Sequence, residues 1–336
     1  MLSILLAPFS WLYGAVMRFR NFCYDRGVRK SFAFDQAVIS VGNLSMGGTG
    51  KTPMIEYLVR LLAGKYSIAI LSRGYGRKSR GFRVAMDSDD ASSIGDEPLQ
   101  FYKKFKGTID VVVCEDRVEG IRQLLGHKKS LQVILLDDAF QHRRVRPMFS
   151  ILLTEFSRPF FNDFVLPKGR LREGRSGGSR TDVVVVTKCS ALTDETEEHY
   201  VNQIHQFANK PVYFSKIGYI KPVALGDGQV KKDVVLVTGV ANSKPMIDYV
   251  KGKVTVRYHF DYSDHHEYSD PEIALIQSKA ISLDASIITT EKDFVKLENK
   301  VDKRLWFYLP IETQFVKNGS EFDALVFQKI KNHLKA

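Results

Sequence analysis

Cysteine is scarce. Cys23, Cys114 and Cys189 are the only three in 336 residues, and they stand far apart. An odd, scattered set makes neither a disulfide framework nor a metal-binding spacing, and it fits a reducing cytosol. Acidic residues are outnumbered, 38 Asp and Glu against 49 Lys and Arg, for a formal net charge of +11. That balance calls for anionic partners: nucleic acid, anionic lipid or phosphorylated ligands. Zinc-finger spacing and an aromatic RNA-binding signature are both missing, so phosphate and membrane partners fit better than nucleic acid. Internal repeats and low-complexity segments are missing as well. What remains is a globular composition, 44% hydrophobic and 26% charged, long enough for two domains.

Against that background one stretch organises the chain, Ser45-Met46-Gly47-Gly48-Thr49-Gly50-Lys51-Thr52. The apolar run 37–41 before it reads as a buried strand, and residues 53–62 after it carry apolar side chains at helical spacing. Strand, glycine-rich turn, Gly-Lys-Thr and helix is the context of a phosphate-binding P-loop. Backbone N–H groups close around phosphate oxygens, and the helix start adds a positive dipole end. Lys51 is placed to reach β- and γ-phosphates, and Thr52 to offer its hydroxyl to Mg²⁺. Ser45 stands where the motif usually has its first glycine, leaving Gly47 and Gly48 to supply the unusual backbone angles.

Residues 1–17 carry no charge and are rich in Leu, Ile, Phe and Trp; Arg18, Arg20, Arg26, Arg29 and Lys30 follow. A secretory signal puts its charges before the apolar core, not after it. A membrane span needs about 20 apolar residues, and Pro8 and Gly14 interrupt this shorter run. Two readings fit: an interfacial helix with a basic flank, or a core helix packed on the domain behind it. The basic flank is a second membrane signal and favours the first.

Downstream, strands and helices alternate. Residues 66–71 read as a strand ending in the basic loop Ser72-Arg73-Gly74-Tyr75-Gly76-Arg77-Lys78-Ser79-Arg80, suited to an anion or simply solvated. Gly95-Asp96-Glu97-Pro98 opens a helix over 99–105. An acid there caps the helix, which the spacing favours, or serves as a base toward a hydroxyl. A strand at 109–113 and a helix at 116–125 lead to Leu131-Gln132-Val133-Ile134-Leu135-Leu136-Asp137-Asp138. An apolar strand ending in acid is a Walker-B pattern, which sets a carboxylate near Mg²⁺; Gln141 follows at the same edge. A strand at 150–154 precedes the basic loop Leu166-Pro167-Lys168-Gly169-Arg170-Leu171-Arg172-Glu173-Gly174-Arg175, suited to an anionic substrate. The valine-rich run 182–188 is a core strand, or one ending near a nucleotide base. The fold class implied is α/β, a P-loop NTPase-like, mostly parallel sheet with right-handed crossovers. Strands at 233–239, 254–258 and 285–289, with helices at 245–250 and 271–281, make a second, smaller α/β unit. The expected division is 1–30 for the interfacial helix, 31–215 for the P-loop unit and 216–336 for the second unit.

Between the later strands lies Asp264-His265-His266, with Thr290-Glu291-Lys292-Asp293 further on. Adjacent histidines converge poorly on one metal, and no third sits at helical spacing. An acid/base or Mg²⁺-shell role between the units is the sharper reading, and a capped structural loop the plainer one.

In this order the motifs are similar to those of the tetraacyldisaccharide 4'-kinase family, the lipid A kinases of Gram-negative bacteria. The resemblance runs through Val41–Pro53, Ser72-Arg73-Gly74-Tyr75-Gly76, Gly95-Asp96-Glu97-Pro98, Leu136–Arg143, Leu166–Glu173, Asp264-His265-His266 and Thr290-Glu291-Lys292-Asp293, nearly the whole chain. Serine at position 45 is usual in that family; Ala139 stands where glycine is common. The resemblance implies a cytoplasmic-face, peripheral inner-membrane enzyme. It moves the γ-phosphate of ATP, with Mg²⁺, to the 4'-hydroxyl of tetraacyldisaccharide 1-phosphate, giving lipid IVA. It implies a site in the cleft between the two units. Asp96 matches the base, overriding the capping preference, and His265 its partner; residues 45–52 bind nucleotide, and Thr52, Asp138 and Gln141 serve the metal. Arg73, Arg77, Arg170 and Glu173 would meet the substrate. The partners are the glycolipid and the membrane surface, without nucleic acid, for a monomer. From another class, a P-loop switch protein or membrane-associated nucleotidase acting on a protein partner stays open. Thr187-Lys188-Cys189-Ser190, however, lacks the acid a guanine motif needs there.

Overall fold

The computed structural model describes residues 6–335. Its strands in chain order are β1 (Ala37–Asn43), β2 (Ile68–Ser72), β3 (Arg83–Val84), β4 (Asp110–Val113), β5 (Val133–Asp137), β6 (Phe149–Glu155) and β7 (Val183–Thr187). Then come β8 (Val212–Tyr219), β9 (Val223–Ala224), β10 (Asp233–Thr238), β11 (Thr255–Asp261), β12 (Ser286–Thr290), β13 (Trp306–Leu309) and β14 (Ile311–Phe315). β1, β2, β5 and β7 are buried at every position. A parallel sheet covered on both faces leaves no polar side, so its strands are unbroken apolar runs.

Among the described residues the large sheet has nine strands in the order β14-β8-β7-β6-β1-β5-β2-β4-β3, with antiparallel partners only at its two edges. β1 lies between β5 and β6 and pairs in parallel with both, Val41 opposite Asp137 in the first case. The turns after β1, β2, β5 and β7 therefore open at one edge of the sheet, where ligands of open α/β sheets bind. The small sheet has five strands in the order β11-β10-β12-β13-β9. Both sheets answer the α/β expectation.

The sequence places the second unit at 216–336, but that boundary falls inside β8, and the chain end goes back to the large sheet. β14 pairs with β8, and the helix Gly319–Lys335 buries Phe322, Val326 and Ile330 among Met54, Leu58 and Leu62. Those side chains have their apolar partners on the large sheet, and Tyr57 Oη fixes the helix by donating to Asp323 at 2.7 Å. The two sheets also meet through helices Asp96–Phe105 and Glu291–Leu297. There Lys104 Nζ bonds Glu56 Oε2 at 2.7 Å and Glu291 Oε2 at 2.8 Å, while Gln100 donates to Glu56 Oε1 at 3.0 Å.

The first helix, α1 (Ala7–Asp25), is turned inside out relative to a core helix. Its polar groups face the protein: Ser10 Oγ accepts from Lys168 N at 2.8 Å, Tyr13 Oη donates to Arg172 O at 2.9 Å, and Asn21 donates to Glu173 at 2.7 Å. Its apolar side chains Phe9, Trp11, Leu12, Val16, Phe19 and Phe22 are exposed. The core-helix reading of this segment does not hold. Residues 1–5 of the apolar run lie outside the described residues. Among the described residues no helix is long and apolar enough to cross a membrane.

Burial, and then the charge of Glu291, raises the Glu56 carboxyl above the ordinary glutamate range, with Lys104 and Arg60 pulling the other way. The folded state therefore holds the Glu56 proton more tightly than the unfolded chain does. Its stabilising contribution is full below the ordinary glutamate range and is lost as pH rises through the shifted value. We predict that wild type gains stability over Glu56→Gln as pH falls from neutral toward that range, read by denaturant unfolding at each pH.

Candidate active site

The phosphate loop follows β1 and leads into α2 (Lys51–Leu62), whose preceding residue Gly50 has φ +84°. Gly47 also takes a positive φ, +103°. Gly48 and Ser45 do not, so a glycine is not required at position 45, and Gly47 and Gly50 supply the unusual angles. The loop is braced from two sides. Thr187 Oγ1, at the end of β7, donates to Thr49 O at 2.9 Å. Met46 N donates to Arg170 O, and Arg172 N to Leu44 O, at 2.8 and 2.7 Å, so the basic loop 166–175 runs alongside. Ser45 is buried, Met46 is exposed, and Thr52 sits in the first turn of α2.

The end of β5 brings two acids to the same edge. Asp137 is buried and accepts from Ser72 Oγ at 3.0 Å. Burial, then the neighbouring Asp138 charge, pushes its carboxyl up to about 6. Asp138 has a left-handed backbone, φ +46°, a strained choice for a non-glycine residue. Arg172 Nη1 meets both of its oxygens at 2.9 and 3.0 Å, and Lys51 Nζ lies 3.8 Å from Oδ1. Thr52 and Asp138 offer the hard oxygens that Mg²⁺ takes, and Mg²⁺ needs few from the protein because water and phosphate complete its shell. Gln141 stands at the same edge and ties the loops together. Its amide donates to Asn43 O at 2.9 Å and Glu173 at 3.3 Å, and its oxygen accepts at 3.3 Å from the Arg172 that also holds both Asp138 oxygens.

Asp96 opens the helix Asp96–Phe105 next to the loop after β2. Gly95 before it has φ +94°, and a Cβ there would stand 3.0 Å from Tyr75 O and 3.2 Å from Gly74 Cα. Only glycine allows this approach, which seats the basic loop against the start of the helix. Among the described residues no side chain caps the helix, and the Asp96 carboxylate instead reaches the small sheet. His265 Nδ1 meets Oδ2 at 3.0 Å, and Lys296 Nζ meets the same oxygen at 2.9 Å. His265 Nε2 accepts from Lys292 Nζ at 3.1 Å, which assigns its ring proton to Nδ1. His266 points elsewhere, to Glu272 at 3.1 Å, stacked on Tyr262.

The four candidate substrate residues divide. Arg73 is exposed in its loop, and Arg170 lies beside the phosphate loop, its guanidinium 3.8 Å from the Cβ position of Gly47. Arg77 is not brought to the cleft. Its side chain is 2% exposed and donates to Glu115 and Gly81 O, both at 2.6 Å. Glu173 is fully buried, held by Arg180 at 2.8 Å and by Asn21 of α1, so it anchors that helix instead of facing a ligand. Sequence reasoning missed Arg172 and Lys296. The latter stands four residues after Lys292, a spacing that puts both ammonium groups on one helix face. An Asn-Lys-x-Asp string does occur, at Asn299 to Asp302, but in the turn after a small-sheet helix and not at a strand end beside the phosphate loop.

A family model described as Tetraacyldisaccharide-1-P 4'-kinase matches residues 2–331. A tetraacyldisaccharide 4'-kinase of Flavobacterium johnsoniae is 43% identical, over 100% of this chain and 99% of its own length. One of Bacteroides thetaiotaomicron is 40% identical, over 94% of this chain and 90% of its own length. Among solved structures, the "apo" form of LpxK from Aquifex aeolicus in complex with ATP matches with a TM-score of 0.78 at 30% identity. That match covers 98% of this chain and 100% of the other.

The contact of Gly95 with the Tyr75 carbonyl yields a test. Gly95→Ala should lower folding stability by about 1–3 kcal/mol, the cost of a strained backbone site. Denaturant unfolding of the variant against wild type checks it.

Proposed function

The chain belongs to the tetraacyldisaccharide-1-P 4'-kinase family, and from that premise we propose which of its residues carry the reaction. It is an ATP-dependent lipid kinase of lipid A synthesis, phosphorylating the 4'-hydroxyl of tetraacyldisaccharide 1-phosphate. Phosphoryl transfer asks the protein for alignment and charge neutralisation more than for covalent chemistry. In our reading the N–H groups of residues 45–52 and the Lys51 ammonium hold the phosphates. Thr52 and Asp138 would hold Mg²⁺, and the chemistry it would supply there is positive charge against the nucleotide's phosphates. Arg172 adds positive charge beside Asp138, and Arg73 and Arg170 meet the anionic groups of the lipid.

Asp96 is our base for the 4'-hydroxyl proton. The observation behind this choice is that His265 and Lys296 both bond Oδ2. That leaves Oδ1 for an incoming hydroxyl. His265 holds the carboxylate in orientation through its Nδ1 proton, a positioning role made from the other sheet.

The glycolipid acceptor dissolves in a bilayer, and we assign α1 as the element that meets it. Its outward apolar face, with exposed Arg18, Arg26, Arg29 and Lys30 close by in sequence, combines the two signals that interfacial binding needs. On this reading the enzyme is peripheral on the cytoplasmic face of the inner membrane and works as a monomer. Ser10, Tyr13 and Asn21 fasten α1 to the loop 166–175, so the membrane contact and the site move together.

Asp96→Asn keeps the shape and removes the basic oxygen. We predict a kcat lowered by about 10²–10⁴-fold, the usual worth of a positioned base, with ATP affinity close to wild type. The assay is transfer from γ-labelled ATP to the lipid in mixed micelles; undiminished turnover would remove Asp96 from this role.

A further inference from the structure

Lys104 is a charged residue that the reaction scheme does not use, yet its side chain is only 19% exposed and sits between two nearly buried carboxylates, Glu56 at 1% and Glu291 at 8%. Its ammonium lies 2.7 Å from Glu56 Oε2 and 2.7 Å from Glu291 Oε1. The three residues come from three helices, and each helix also carries a proposed functional group. Glu56 lies on α2, which begins with Lys51 and Thr52. Lys104 lies on the helix that begins with Asp96. Glu291 lies on the helix that carries Lys292 and Lys296, the groups that touch His265 and Asp96. Gln100, on the Asp96 helix, adds a second link to Glu56 at 3.0 Å.

We propose that Lys104 is a positioning residue for phosphoryl transfer: its ammonium fixes the nucleotide-holding helix, the Asp96 helix and the Lys292/Lys296 helix in one arrangement. Two like charges buried together would separate without the cation between them, and a buried pair that loses its partner is costly. The neighbouring charges cannot replace it. Arg60 reaches only Glu56, at 3.5 Å, and Lys103 turns to Glu298 and the Val295 carbonyl. Tyr308 is a further titratable group near Glu291, Glu298 and Glu56, and their charges add to burial in raising its hydroxyl. Lys104 touches neither phosphate loop nor base directly, so its effect falls on alignment, where an error of about 1 Å can cost about 10²-fold in rate. The inference rests on the base role proposed for Asp96.

The test compares Lys104→Met, Lys104→Arg and the neutral triple variant Lys104→Met/Glu56→Gln/Glu291→Gln, each assayed well below its melting temperature. We expect Lys104→Met to lower kcat, expressed per folded enzyme, by about tenfold or more with ATP affinity within about threefold of wild type. Lys104→Arg should recover most of the rate. The triple variant, free of the repelling charges, should regain thermal stability but not kcat. A Lys104→Met kcat within about twofold of wild type, or a triple variant whose kcat returns together with its stability, overturns the proposal. The Asp96→Asn assay judges the base separately, so failure of one reading is not mistaken for failure of the other.

Discussion

The two sheets share one carboxylate oxygen. Asp96 Oδ2, at the start of a large-sheet helix, receives His265 and Lys296, both from the small-sheet side of the cleft. The rest of the proposed site depends on that meeting. The loop after β2 is seated by glycine contacts so that Asp96 can stand where it does. His265 accepts a left-handed backbone, φ +61°, to reach it, and Lys292 fixes the far nitrogen of the ring. Strain of this kind persists where surroundings over-determine it. Behind the carboxylate, Lys104, Gln100, Glu56 and Glu291 tie the same helices together in a nearly buried patch. Charge pairs of this sort are a poor source of net stability; in the proposal made above, this one holds the helices of a site assembled from separate elements in one arrangement.

The second constraint is the direction in which α1 faces. A helix whose polar side meets the protein and whose apolar side meets solvent is unfavourable in water alone. In the reading proposed here a bilayer takes the apolar side. The polar contacts then have a purpose beyond holding the helix: they join it to the loop 166–175, whose Arg170 and Arg172 lie beside the phosphate loop and Asp138. Glu173, read from sequence as a substrate contact, is the buried post of that connection. It bonds α1, Arg180 and Gln141 at once.

Much of this was legible in the sequence, for physical reasons that differ from element to element. β1, β5 and β7 are buried on both faces, so their apolar runs mark them within a residue or two. The phosphate loop is legible because backbone N–H groups need that glycine pattern. β8 and β14 were not read: each mixes buried and partly exposed positions at the sheet edge, and the return of the chain end to the large sheet is a long-range pairing without a local signal. The direction of an arginine is equally hidden. Arg77 and Arg172 both stand in basic loops, yet one is consumed by Glu115 and the other clamps Asp138. Spacing favoured a capping role for Asp96 because the partners of its carboxylate, His265 and Lys296, lie more than a hundred residues away in sequence.

In the reading proposed here, the small sheet acts on the reaction through Asp96. A double-mutant cycle on kcat tests it directly, using His265→Ala, Asp96→Asn and the pair. If His265 works through the carboxylate, removing it slows the wild-type enzyme but adds almost nothing once Asp96 has become asparagine. If instead the two losses multiply, His265 acts on the substrate or nucleotide by its own route, and the shared oxygen is not the constraint on which the site is built.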